Sequence, residues 1–172
     1  IAHLLQQQEI SFDTETTGID TMQAELVGLS FSVKVHEGWY VPIPADQKEA
    51  QLIVDEFKVV YENENIVKIG QNIKYDMNIL SRYGIQVKGN LFDTMVAHYL
   101  IQPEMRHNMN ILAETYLGYS PVSIETLIGK KGKNQLSMRD VPLEDIKEYA
   151  TEDADITLQL KEHFHLQYEK KF

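Results

Sequence analysis

The first half of the chain carries short β-prone runs separated by turn residues. Three runs are rich in β-branched and aromatic residues and are punctuated by glycines: EISFD at 9–13, LVGLSFSV at 26–33 and GWYVPI at 38–43. Runs of this kind are typical of strands, so the pattern predicts three consecutive strands paired as an antiparallel meander. The segment NIVKIG at 65–70 and a short run that reaches Phe92 predict two more strands.

Apolar residues at helical spacing dominate the rest of the chain. Asp93 follows the last predicted strand and is placed as a helix N-cap, while Pro142 suits the first turn of a long terminal helix. Gly84 is placed at the end of the helix that follows the fourth strand. The predicted helices span 46–62, 72–83, 94–101, 109–117, 124–128 and 142–168.

Strands followed mainly by helices favour an α/β domain in which helices pack on a mixed sheet. The chain has 172 residues, of which 43% are hydrophobic, and this is enough for a core of ordinary size. No internal repeat or low-complexity linker marks a boundary, so one domain is predicted over residues 1–172. Because the sequence contains no cysteine, a disulfide scaffold and a thiolate metal site are excluded.

The net charge of −10 argues against a polyanionic partner, but the basic residues are unevenly placed. GKKGKN at 129–134 concentrates three lysines in a glycine-rich segment, called here the basic loop: Lys130, Lys131 and Lys133. Such a loop is either a solvated turn or a contact for phosphates. No apolar run approaches the roughly 20 residues of a membrane span, so a cytoplasmic protein without membrane association is predicted. The first residue is not Met, and we expect a piece of a longer chain.

Four carboxylates stand where strands and helices of the predicted fold meet. Asp13 and Glu15 are two residues apart on a strand and therefore share a face. Asp76 follows Asn72 by one helical turn, and Asp153 follows Tyr149 by one helical turn. Each acid alone is typical of a solvated residue, and Tyr149 alone of a packing residue. Brought together, the four acids would need cations to offset their repulsion, and oxygen ligands select Mg²⁺ or Mn²⁺.

The motifs taken in order resemble a known family. FDTETTGID, GQNIKYDMNIL and YATEDADITL resemble the three exonuclease motifs of the DnaQ-like (DEDD) superfamily in its tyrosine subclass. LFDTMVAHYL, RHNMNILAETYLG and GKKGKNQLSM further resemble the proofreading domain of bacterial DNA polymerases of family A. The resemblance runs from about Ile10 to Leu160. It implies a ribonuclease H-like fold with a central five-stranded mixed sheet flanked by helices.

The resemblance also implies an activity and roles for single residues. The activity is 3′-to-5′ hydrolysis of single-stranded DNA ends by two divalent ions, Mg²⁺ or Mn²⁺, with release of nucleoside 5′-monophosphates. Asp13, Glu15 and Asp153 would hold the tighter ion, and Asp13 would bridge to a second ion associated with Asp76. Tyr149 would orient the attacking water. The implied substrate contacts are Thr14, Ile19, Asn72, Tyr75, Arg106 and Lys133, with Ile124 in place of an aromatic wedge.

Three hypotheses therefore remain open. The first is a proofreading DNA exonuclease that acts as a monomer, with a polymerase domain of the same parent chain as its partner. The second keeps the chemistry but trims RNA or DNA in the manner of ribonuclease D-like or Werner-like enzymes. The third is a catalytically silent domain that supports a polymerase. The retained acids argue against the third hypothesis, and the basic loop argues against the second.

Overall fold

A mixed five-stranded sheet forms the centre of the protein. In this computed structural model, which describes residues 1–171 and their side chains as far as Tyr168, the strand order is β3-β2-β1-β4-β5. The strands are β1 (Glu9–Thr16), β2 (Leu26–Lys34), β3 (Glu37–Pro42), β4 (Val67–Gly70) and β5 (Leu91–Asp93). The first three pair antiparallel, whereas β4 runs parallel to β1 and β5 parallel to β4. The predicted meander and five-stranded mixed sheet are confirmed.

Helices follow the strands as the apolar spacing predicted. They are α1 (Ala2–Leu5), α2 (Gln47–Tyr61), α3 (Ile73–Arg82), α4 (Thr94–Ile101), α5 (Met109–Leu112), α6 (Ile124–Ile128) and α7 (Leu143–Lys171). The helix predicted over 109–117 is α-helical only in its first part and continues as a π-helix over Ala113–Leu117. It ends at Gly118, whose φ of 64° lies in the left-handed region. The short α1 and a 3₁₀ turn at Met138–Asp140 were not predicted.

The helices pack on the sheet through two main apolar clusters. Phe12 and Phe31 of the sheet contact Tyr61 of α2, with ring centroids 5.1 and 5.8 Å from the Tyr61 ring, in a core that α3 completes. A second cluster joins α4 and the π-helix to α7 through Ala97, Leu112, Ile156, Leu160 and Phe164. Because side chains alternate along a strand, Ile10 and Phe12 serve the first core while Ser11 and Asp13 face α7. The sheet thus presents its first acid toward the long terminal helix.

Candidate active site

Strand β1 extends past the end of its parallel neighbour. It pairs with β4 only over Glu9–Ser11 but continues to Thr16, three residues beyond the predicted end of this strand. Past that pairing, backbone groups of β1 need partners from elsewhere. The Thr14 amide donates to Asp76 Oδ1 at 3.0 Å, and the Thr14 hydroxyl donates to the same oxygen at 2.6 Å. Asp76 of α3 therefore occupies the place that a longer β4 would take.

Helix α7 approaches the other face of β1 through small residues. Ala150 and Ala154 are fully buried, and the Ser11 hydroxyl donates to the Ala154 carbonyl at 2.8 Å. This contact brings the neighbouring Asp153 to the face of β1 that carries Asp13 and Glu15. One carboxylate oxygen from each of these three acids lies within 4.8 Å of the other two. Among the side chains that the structure describes, as far as Tyr168, a group of at least three potential metal-binding side chains forms at this place alone.

The fourth predicted acid lies beside this cluster. Asp76 lines the same cleft and is 2% exposed, and its charge raises the pKa of Glu15. Its ligand atoms are not within the 4.8 Å group, because the Thr14 hydrogen bonds hold the carboxylate against β1. The structure thus brings three acids to a common centre and holds the fourth next to them.

Burial makes ionisation of these three acids unfavourable when no cation is bound. Desolvation raises the pKa of Asp13 to about 7, although the Thr14 backbone hydrogen bond opposes the shift. The pKa values of Glu15 and Asp153 are raised well above their ordinary range, first by burial and then by the neighbouring acids. Glu15 Oε1 is buried and accepts no hydrogen bond from the described residues. Buried carboxylate oxygens normally have partners, and a hard divalent cation is the partner that this oxygen-only set fits.

Tyr149 lies one helical turn before Asp153 and lines the same cleft. Burial raises the pKa of Tyr149 far above its ordinary value, and the charges of Asp153 and Glu15 raise it further. The phenol is therefore protonated at neutral pH. It can donate a hydrogen bond and orient a neighbouring group, but it cannot act as a general base.

The acids lie in a cleft of about 560 Å³. Of the predicted substrate contacts, four line it: Thr14, Ile19, Asn72 and Tyr75. Ile19 is 86% exposed at the rim, and Ile124 lines the cleft as well. The Tyr75 hydroxyl is fixed by the Gly18 carbonyl at 2.6 Å. Asn72 adopts left-handed backbone angles, with φ 56° and ψ 47°, an arrangement that Asn tolerates better than most residues.

Two predicted substrate contacts lie outside the cleft lining. Arg106 is exposed in the segment between α4 and α5, and Lys133 is exposed in the basic loop. Lys131 of the same loop lines the cleft instead. The loop is folded back on α6, since the Leu136 amide donates to the Ile128 carbonyl at 2.8 Å. The sequence pattern alone does not reveal which lysine of the basic loop lines the cleft.

Asp93 caps α4 as predicted, and its carboxylate also accepts hydrogen bonds from the start of α3. Its Oδ1 accepts from the Met95 amide at 2.9 Å at the start of α4. The same carboxylate accepts from the Asn72 amide at 3.1 Å and the Ile73 amide at 3.0 Å. One carboxylate therefore joins the starts of α3 and α4 and holds the left-handed Asn72 beside the cleft. The sequence reasoning missed this second role.

Gln71 is a cleft-lining residue that the sequence reasoning also missed. Its side-chain amide donates to the His107 carbonyl at 2.7 Å, and its oxygen accepts from Thr94. The available signal was its position directly before Asn72, at the end of a strand. Within residues 1–171, no helix combines the length and apolarity that crossing a membrane requires.

The chain is similar in sequence to segments of bacterial DNA polymerase I. The chain is 39% identical to DNA polymerase I of Pseudomonas aeruginosa over 160 residues, which cover 88% of this chain and 17% of that protein. It is 38% identical to DNA polymerase I of Borreliella burgdorferi over 163 residues, which cover 93% of this chain and 17% of that protein. The chain therefore spans about a sixth of the length of these relatives.

The fold is similar to that of Brucella melitensis NrnC, with a TM-score of 0.76, 21% identity, and coverage of 96% of this chain and 75% of that one. The sequence model of one family, described as 3′-5′ exonuclease, matches residues 1–169. That match includes β1, α3 and α7, which supply the four acids of the cleft. The chain belongs to the 3′-5′ exonuclease family.

Proposed function

We propose that this domain removes nucleotides from single-stranded DNA 3′ ends and releases nucleoside 5′-monophosphates. The observation that carries the proposal is the convergence of Asp13, Glu15 and Asp153 within 4.8 Å, together with the buried Glu15 Oε1, which has no hydrogen-bond partner among the described residues. Membership of the exonuclease family supports the reaction. The choice of DNA over RNA rests on the likeness to DNA polymerase I sequences and on the basic loop.

The same three acids are the proposed ligands of one divalent ion, Mg²⁺ or Mn²⁺. Asp13, together with Asp76, would hold a second such ion. Two such ions supply an activated water and stabilise the charge on the attacking and leaving oxygens of a phosphodiester. Asp76 contributes from a position already fixed by Thr14, so its carboxylate needs no rearrangement to face the cleft.

The other residues of the cleft position the substrate. Tyr149, neutral because its pKa is raised, donates a hydrogen bond that orients the attacking water next to Asp153. Ile19 and Ile124 offer apolar surface at the rim for the terminal bases. Asn72 and Tyr75 hold the last nucleotides, and Lys131 meets the phosphate chain where it leaves the acids. The leaving 3′ oxygen takes up its proton from solvent at the open side of the cleft.

The proposed partner is a polymerase domain of the same parent chain, and the proposed role is proofreading. The relatives named polymerase support this proposal, since the matched segment makes up 17% of each. A growing strand that ends in a mismatch separates more readily from its template than a paired end does. The cleft then receives the single-stranded end, and removal of the terminal nucleotide restores a paired end.

A matched comparison of DNA and RNA ends tests the proposal. Oligonucleotides of identical sequence with 3′ ends of each kind are digested with Mg²⁺, with Mn²⁺ and with EDTA. We expect trimming of DNA with either metal, much slower trimming of RNA, and no products with EDTA. Preferred digestion of RNA supports the trimming hypothesis instead, and full digestion in excess EDTA refutes the metal mechanism.

Two alanine variants on α7 distinguish the loss of a proposed metal ligand from the loss of an acid outside the cleft. Asp153→Ala removes a metal ligand, and turnover should fall by several orders of magnitude while the fold is retained. Asp155→Ala is the matched control, because Asp155 points away from the cleft and accepts a hydrogen bond from the His36 amide at 2.6 Å. If neither variant changes turnover relative to the wild-type chain, the acids named here are the wrong ones.

A further inference from the structure

A buried histidine lies at the centre of the second apolar cluster. His98 on α4 is 0% exposed, and its ring contacts Phe164 with a centroid distance of 5.5 Å. Both ring nitrogens have partners: Nδ1 lies 2.6 Å from His107 Nδ1, and Nε2 lies 2.9 Å from the Tyr116 hydroxyl. Burial lowers the pKa of His98, and the neighbouring His107 lowers it further. His98 is therefore a neutral ring with two fixed hydrogen bonds.

The partner histidine connects this cluster to the cleft. His107 belongs to the irregular segment 102–108 between α4 and α5, next to Arg106. Its carbonyl accepts from the Gln71 side chain at 2.7 Å. Gln71 in turn is held by Thr94 and precedes Asn72 on the cleft lining. A continuous set of hydrogen bonds thus runs from the core of α4 to the cleft.

We propose that His98 and His107 are positioning residues that hold segment 102–108, and with it the exposed Arg106, beside the cleft, where this cation would meet the phosphates of the incoming strand. The pair fastens segment 102–108 from one side, and Gln71 fastens it from the cleft. Without the pair, segment 102–108 would keep the Gln71 bond to the cleft but lose its hydrogen bond to the His98 ring. The proposal rests on the proposed function, because it assigns to Arg106 a contact with a single-stranded nucleic acid.

The proton positions that this contact requires are compatible with a hydrogen bond between the two histidines. Two imidazoles that meet through Nδ1 atoms at 2.6 Å are joined only when one nitrogen carries a proton and the other does not. His98 can be the donor or the acceptor in its bond to His107, because the Tyr116 hydroxyl can donate to His98 Nε2 or accept from it. Tyr99 on α4 packs against the His107 ring with a centroid distance of 5.6 Å, and His163 on α7 packs against the Tyr116 ring at 5.0 Å.

His98→Phe tests the role, since it keeps an aromatic ring in the core and removes both hydrogen bonds. We expect the dissociation constant for a single-stranded DNA 3′ end, measured with Ca²⁺ in place of Mg²⁺, to rise about tenfold. The turnover number at saturating DNA should stay within about twofold of the wild type. Ile156→Val is the structural control: it leaves a small cavity in the same cluster and keeps Phe164 against the His98 ring, so affinity should be unchanged.

Two further variants separate positioning from packing. His98→Asn places an amide near the Nδ1 position and should restore affinity even if stability is not restored. In an Arg106→Ala background, His98→Phe should weaken binding no further, because the two residues act through one contact. Equal losses of affinity in His98→Phe and Ile156→Val, or additive losses with Arg106→Ala, refute the positioning role.

The failure of this proposal is distinct from the failure of the proposed function. A wild-type chain that does not bind single-stranded DNA refutes the proposed function and this role with it. A wild-type chain that binds and trims DNA, while His98→Phe binds equally well, refutes the positioning role alone.

Discussion

Removing one charge from the acid cluster should stabilise the metal-free domain. The perturbation is Asp13→Asn, which keeps the shape of the side chain and gives Glu15 a neighbouring amide in place of a carboxylate. Burial raises the pKa of Asp13 from 3.8 to about 7. A raised carboxyl pKa means that the folded state resists ionisation, so folding loses stability as pH rises from about 4 to about 7, and the full cost remains above pH 7.

The size of the effect follows from that shift. A difference of about 3 pKa units corresponds to about 4 kcal/mol at 1.36 kcal/mol per unit, as an upper limit for this one group. Part of the relief is offset because the new amide must find acceptors among the neighbouring oxygens. We expect Asp13→Asn to raise the free energy of unfolding by roughly 1–3 kcal/mol at pH 8 without metal, and by less at pH 5.

Urea unfolding in EDTA and in millimolar Mg²⁺, each at pH 5 and pH 8, measures this effect. In Mg²⁺ at pH 8 the order should reverse, because the wild type alone keeps the full ligand set and gains the free energy of metal binding. Asp155→Asn is the control and should show no such reversal, since Asp155 lies on the far side of α7. A wild type more stable than Asp13→Asn in EDTA at pH 8 would falsify the reasoning.

Three other predictions follow from single contacts. Asp93→Ala should lower the free energy of unfolding by about 2 kcal/mol, more than an ordinary cap, because the carboxylate serves two helix starts; thermal unfolding measures the loss. Changing all three lysines of the basic loop to Ala should weaken DNA binding and flatten its salt dependence, and superimposable log-log lines would exclude a phosphate contact. Tyr149→Phe should lower the turnover number and leave its pH dependence between 6 and 9 unchanged, since the phenol is protonated throughout; a lost ionisation in that range would contradict this.

Local pattern was sufficient for the elements, because strand and helix periods are set by the residues of each segment. The meander was predicted from its β-branched runs, and Asp93 was predicted as a cap from its place after a strand. The π-helix at 113–117 was not predicted, because its apolar spacing satisfies an α-helix equally well. The length of β1 was underestimated, since its last residues are strand through pairing with β2, a contact distant in sequence.

The candidate site likewise has parts that the sequence predicted and parts that it could not predict. The acids were identified from their motifs, and the structure brings Asp13, Glu15 and Asp153 together. The hydrogen bonds from Thr14 to Asp76 could not be predicted, because they depend on β4 ending where β1 continues. The same limit applies to Lys131, which reaches the cleft only through the closure of the basic loop.

The distribution of hydrogen-bond donors among the four acids has a consequence for how cations are bound. Asp76 accepts two hydrogen bonds from Thr14 and is therefore ordered before any ion arrives. Glu15 Oε1 is buried with no donor among the described residues, so its desolvation is left uncompensated until a cation binds. An ion at Asp13, Glu15 and Asp153 would relieve that cost, whereas the Thr14 hydrogen bonds already offset part of the desolvation of Asp76. Under the proposed two-ion mechanism, the centre formed by the three acids should for this reason bind the first ion, and the position near Asp76 should fill afterwards.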